Sequence, residues 1–149
     1  MNDSNEFLIE CSCGNKYAKA FLYILREFAH LIDDLVDKDN PITQEQIAET
    51  LTSLIAQCLL NPWAQQHGKS LVPLFVNSMR CWVDADIWMT TDDKKKQIAA
   101  DVFKSYYHEI FFQAAYICGG WNHMKAMTEK YRHVDWDNEY LKLKKEQTQ

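Results

Sequence analysis

A chain of 149 residues suits one domain with one hydrophobic core of ordinary size. Its residues are 47% apolar and 25% charged, the balance of a folded globular protein rather than a disordered one. The net charge of −5 argues against direct nucleic-acid binding, which depends on basic patches that neutralise phosphates.

No apolar run approaches the ~18 residues that a membrane span requires. The acidic, polar residues from Met1 to Glu6 do not resemble a secretory signal. The expectation is therefore a cytoplasmic protein without a membrane segment. Cys58, Cys81 and Cys118 lie in apolar stretches and are expected to act as small hydrophobes in a reducing compartment. Cys11 and Cys13 form a C-x-C, and no second pair follows at zinc-ligand spacing.

Four glycines and three prolines are few, and no long alternating run suggests a strand. The pattern predicts an all-α fold, a single-domain bundle of about five main helices. Residues 1–14 read as a polar arm with a short apolar patch, Phe7-Leu8-Ile9. Residues 15–134 read as the bundle, and residues 135–149 as a charged tail.

The first helix runs from Tyr17 to Asp37, with Phe21, Ile24, Leu25, Phe28, Ile32 and Leu35 recurring at three- and four-residue spacing. Asp39-Asn40-Pro41 ends it. Thr43 followed by Gln46 signals a capping box for a second helix. Ile47, Leu51, Leu54, Ile55 and Cys58 form the inward stripe expected of that helix. Asn61-Pro62 stops it, and a turn through Trp63 to Gln66 and Gly68 separates it from a third helix, about Ser70 to Met89, with Pro73 in its first turn. Thr91-Asp92-Asp93 caps a fourth long helix that continues to Cys118. Gly119-Gly120 breaks it before a shorter helix from Trp121 to about Arg132.

Polar residues in apolar stripes mark the candidate site. On the third helix Asp86 falls within the stripe of Leu71, Val72, Phe75, Met79, Trp82, Val83 and Met89. On the fourth, Glu109 and Gln113 fall on the stripe of Ile98, Val102, Tyr106, Ile110 and Ile117, while His108 and Asp101 lie outside it. A buried carboxylate needs a partner, a proton or a metal. The first helix ends in His30 and in Asp33, Asp34 and Asp37, and the three acids oppose the helix macrodipole. Carboxylates gathered with a histidine between bundle helices suit Mg²⁺ or Mn²⁺ and, through the ion, a phosphate.

Asp33-Asp34-Leu35-Val36-Asp37 reads D-D-x-x-D. On an all-α background this resembles the first aspartate-rich motif of the isoprenyl diphosphate synthases and class I terpene synthases. The resemblance implies that Asp33, Asp34 and Asp37 bind Mg²⁺ ions that hold a substrate diphosphate. It spans His30 to Asp39. A second aspartate-rich motif does not follow, since Asp92-Asp93 leads into lysines and Asp84-x-Asp86 lacks a third acid.

Two functions are thus expected to compete. In the first, Asp33, Asp34, Asp37 and Asp86 hold a divalent ion, His30 and Glu109 serve as catalytic acid/base groups, and the ligand is a phosphorylated or diphosphate small molecule. In the second, the chain is a non-catalytic protein–protein interaction module, an inhibitor or adaptor with a solvated acidic face. Trp63, Trp88, Trp121 and Trp136, at element ends or off the inward stripes, suit an interface with a protein partner or a second copy.

Overall fold

A computed structural model describes residues 5–133. Among these residues the chain forms six α-helices, one short 3₁₀ turn and no strand, which is the expected all-α bundle. The helices are α1 (Asn5–Cys11), α2 (Lys16–Asp37), α3 (Gln44–Leu60), α4 (Pro62–Met89), α5 (Lys94–Lys104) and α6 (His108–Tyr131), with the 3₁₀ turn at Ser105–Tyr107. None of them is long and apolar enough to cross a membrane.

Local capping chemistry sets most of the boundaries. Asn15 accepts from the backbone N–H groups of Tyr17 and Ala18, both at 3.0 Å, and so starts α2. Lys38, in the left-handed region at φ 57°, closes it by donating its N–H to the Asp34 carbonyl. Thr43 and Gln46 form the expected capping box of α3. Asn61 caps α4, with Pro62 in its first turn, and Asp93 caps α5 through Lys95 and Lys96.

The core is centred on α6. Phe111, Phe112, Ala114 and Ala115 are almost wholly removed from solvent, as are Leu22 and Ala18 of α2. This bears on the first departure from expectation: residues 5–11 of the predicted arm form α1, and Phe7, Leu8 and Cys11 enter the core. The Phe7 ring lies 5.5 Å from Phe111, 5.4 Å from Phe112 and 4.7 Å from Tyr131. Lys130 of α6 grips the polar side of α1, with its Nζ 2.6 Å from Glu10 and 3.3 Å from Glu6. His123 adds a hydrogen bond between Nε2 and the Glu10 carbonyl oxygen at 2.8 Å. A seven-residue helix cannot be stable alone, so these contacts with α6 hold it.

Two boundaries differ. The expected turn from Trp63 to Gly68 is instead the first two turns of α4, and Trp63 is buried against Phe21 rather than exposed at an element end. Asn61 alone joins α3 to α4, because its side chain satisfies the first donors of the new helix at once. Pro73 then falls inside α4 on an exposed side, where water can serve the carbonyl that loses its donor.

The predicted long fourth helix is divided by the Ser105–Tyr107 turn, so α5 folds back on α4 while α6 crosses the core. The expected glycine break is present: at Gly120 the backbone leaves helical geometry, with a φ of 80° and ψ of −173° that suit glycine alone, and a second helical stretch continues beyond the kink to Tyr131. The expected tail from residue 135, with Trp136, lies outside the described residues.

Candidate functional site

The division at Ser105–Tyr107 changes the helical phase between α5 and α6. A stripe counted through it goes out of register. His108, placed outside by that count, is buried; Asp101 is buried too, although it precedes the turn, because α5 itself turns Val102 outward and Ala100 and Asp101 inward. Glu109, placed on the stripe, is partly exposed and forms an ion pair with both nitrogens of Arg132, one at 3.1 Å. Gln113 is likewise only half-buried.

Asp86 is corrected for a related reason. The buried row of α4 is Ala64, Leu71, Ser78 and Ala85, at seven-residue spacing. Asp86 stands one position to its side, a third exposed, with Lys104 Nζ at 3.2 Å. It is a rim carboxylate with a cation of its own, not a core acid awaiting a metal.

The aspartates of D-D-x-x-D separate because neighbours in a helix point about 100° apart. Asp33 faces α4 and α5, lining a small crevice with Ser78, Met79, Trp82, Lys104 and Tyr107. Asp37, one turn further on, shares that electrostatic environment: partial burial raises its carboxyl pKa, Asp33, Asp86 and Asp39 push it the same way, and Lys104 opposes them. Asp34 turns toward α3 and accepts from Asn40 Nδ2 at 2.9 Å. It lines a groove of about 400 Å³ between α2 and α3 with His30, Glu27, Gln46, Glu49, Thr50 and Tyr23.

The structure therefore brings His30 and Asp34 together, and places Asp33 and Asp37 with Asp86. Glu109 lies apart, at the Arg132 end of α6. The expected metal ligands Asp33, Asp34, Asp37 and Asp86 face two different sides of α2. Among the described residues, no group of three or more His, Cys, Asp or Glu side chains is arranged to hold a metal ion. The donor set does not fit a shared Mg²⁺ or Mn²⁺ site.

A different surface emerges on α3. None of its seventeen residues is buried. Of its expected inward stripe, only Ile47 and Leu54 are half-covered; Leu51, Ile55 and Cys58 are exposed, Ile55 to 61%. Grooves border the helix on several sides, one of about 640 Å³ toward α1 and α2. Another, of about 410 Å³, separates α3 from α4. Leu54 and Cys58 form one wall of it and Val72 and Phe75 the other, with Phe21, Leu25 and Ile110 among its lining.

The apolar surface extends beyond this groove. Leu51, Ile55 and Leu59 occupy the sector of α3 next to Cys58. On α4, Val72, Val76, Val83 and Ile87 form one exposed row with the half-buried Met79. The apolar groups of α4 thus divide into two rows, one inside the molecule and one outside. Sequence periodicity merged them into a single stripe. The signal that could have separated them is the small-residue row Ala64, Ser78 and Ala85, which allows close helix approach.

No family of known proteins, no curated protein and no solved structure matches the chain.

Proposed function

We propose that this chain is a protein–protein interaction module whose docking surface is the apolar face of α3 and α4. The observation that supports this most is that α3, a helix of seventeen residues, buries none of them and turns Leu51, Ile55 and Cys58 outward. An isolated exposed leucine needs no explanation, but a continuous apolar face beside an apolar groove is the mark of a surface that is covered in use. Val72, Val76, Val83 and Ile87 extend the same face along α4. Carboxylates are held aside from it: Glu27, Asp34 and Glu49 line the groove on the other flank of α3, a polar margin of the kind that surrounds interface cores.

The test is a photo-crosslinking side chain introduced singly at Ile55, Val76 or Lys125 in cells that make the protein. Ile55 and Val76 are expected to give discrete adducts, while Lys125, on the exposed polar side of α6, gives none. Absence of any adduct at Ile55 and Val76 would remove the proposal.

A further inference from the structure

The outward row of α4 has a symmetry that indicates its partner. Val72, Val76, Val83 and Ile87 are exposed, and their spacing reads the same from either end about a midpoint between Met79 and Arg80. We infer that the face is occupied by a second copy of this chain, with the two α4 helices antiparallel across a two-fold axis at that midpoint. This inference rests on the interaction-module reading and names its partner.

In this arrangement Val72 faces Ile87 of the second copy, and Val76 faces its Val83. Each of the four exposed apolar positions then meets another of the four, and the half-buried Met79 lies beside the axis, next to Arg80. Two-fold contacts are self-complementary by construction, and an unrelated partner places no symmetry demand on the row.

Charge selects the antiparallel direction over the parallel one. A parallel pairing would set Lys69 beside its own copy, whereas Asp84 and Asp86 are already paired with Arg80 and Lys104. The antiparallel pairing carries Lys69 to the end of the partner helix near Thr90. Arg80, close to the axis, is neutralised by its own Asp84 at 2.6 Å. Antiparallel helices also oppose their macrodipoles favourably.

The exposed area is consistent with such a pair. Leu51, Ile55, Leu59 and the four outward α4 residues together expose on the order of 600 Å², and Cys58, Leu54, Phe75 and Met79 add to this, approaching the roughly 800 Å² per partner of a standard stable interface. The face of α3 is included because α3 lies beside the N-terminal half of its own α4. In the antiparallel pair it therefore covers the C-terminal half of the partner's helix.

Sedimentation of the purified full chain, with Val76→Glu, Val83→Lys and the double variant, tests both partner and register. The native chain is expected to sediment as a dimer. Each single variant places a charge at two related sites and is expected to weaken association by roughly a hundredfold or more. In the double variant the new carboxylate of each copy faces the new ammonium of the other, once on either side of the axis, and dimer is expected to recover. All substituted positions are exposed, and circular dichroism checks that the helices persist.

A native chain that remains monomeric up to about 100 µM, a weak affinity for a specific pair, overturns the second copy as partner. Heterologous adducts at Ile55 would then leave the interaction module standing, whereas no adducts would remove both. A dimer indifferent to the single variants, or a double variant as weak as either single, overturns the antiparallel seam.

Discussion

Asn61 is the residue on which the geometry of the α3–α4 face depends. Its side-chain oxygen accepts from Trp63 N at 2.9 Å and Ala64 N at 3.1 Å, and its amide nitrogen donates to the Tyr17 carbonyl at 2.8 Å and to Gln57 Oε1 at 2.7 Å. One buried side chain thus caps α4, fastens it to α2 and holds the end of α3. Asn61→Ala removes a helix cap, about 1 kcal/mol, and two donated bonds, about 1 kcal/mol each with the Gln57 bond discounted because water reaches it, for a total of about 2–3 kcal/mol.

Asn61→Ser keeps the cap and is expected to lose less than the alanine variant. Asn61→Asp also keeps the cap, but sets a carboxylate against the oxygens of Tyr17 and Gln57, so its loss should diminish as the carboxyl group protonates in acid. Urea unfolding of the series, read from midpoints at unchanged slope, gives the values. An alanine variant within about 0.5 kcal/mol of the native chain, the spread of ordinary surface substitutions, would refute this account of the joint.

Four other outcomes are expected. Gly119→Ala would bring its new Cβ to 2.6 Å from the His123 Cβ and ring carbons, displacing the ring from the Glu10 carbonyl. Thermal unfolding should show a loss of about 1–3 kcal/mol, whereas Gly68→Ala, with nothing within 4 Å, should gain about 0.4–1 kcal/mol. Lys130 lowers the Glu10 carboxyl pKa by hydrogen bonding, so this contact stabilises above the ordinary carboxylate range and fades as pH falls through the lowered value. Melting curves of Lys130→Met and the native chain should therefore converge in acid and diverge toward neutrality. Asp37 has the opposite sign. Partial burial, then Asp33, raise its pKa, so its ionisation opposes folding once pH rises through that value. Asp37→Asn should melt slightly higher than the native chain at neutral pH and show no gain in acid. Because Asp34 and Asp33 face different sides of α2, Mg²⁺ or Mn²⁺ should leave the melting temperature unchanged. A saturable rise abolished by Asp34→Ala would restore the metal reading through linkage.

What could be read from the sequence was local. Thr43 with Gln46, and Asp93, each satisfy donors within their own first turn, so their effect needs no knowledge of the rest of the chain; Asn61-Pro62 marked the end of α3 but not the start of α4. The α2 boundary at Asp37 was legible in the same way. The break at Ser105–Tyr107 was not, because neither glycine nor proline marks it; it is set by how α5 returns along α4. That missed break put His108 and Glu109 on the wrong sides.

α1 was hidden for another reason. Phe7 and Leu8 are a short patch in a polar stretch, and only α6 makes that patch a core contact. The candidate site shows the deeper limit. Periodicity identifies that Leu51, Ile55 and Cys58 share a side, but it does not say what covers that side. Adjacent aspartates in sequence, Asp33 and Asp34, likewise do not share a direction in space.

A docking role requires that the α3–α4 face be covered when the protein works. Cys58 lies on the wall of the α3–α4 groove and Cys13 in the turn after α1, both exposed. Their alkylation rates can be compared in intact cells and in dilute purified protein, with Cys13 as the internal reference. If the face is covered, the Cys58-to-Cys13 rate ratio falls at least severalfold in cells. Equal ratios in the two settings would contradict the docking role.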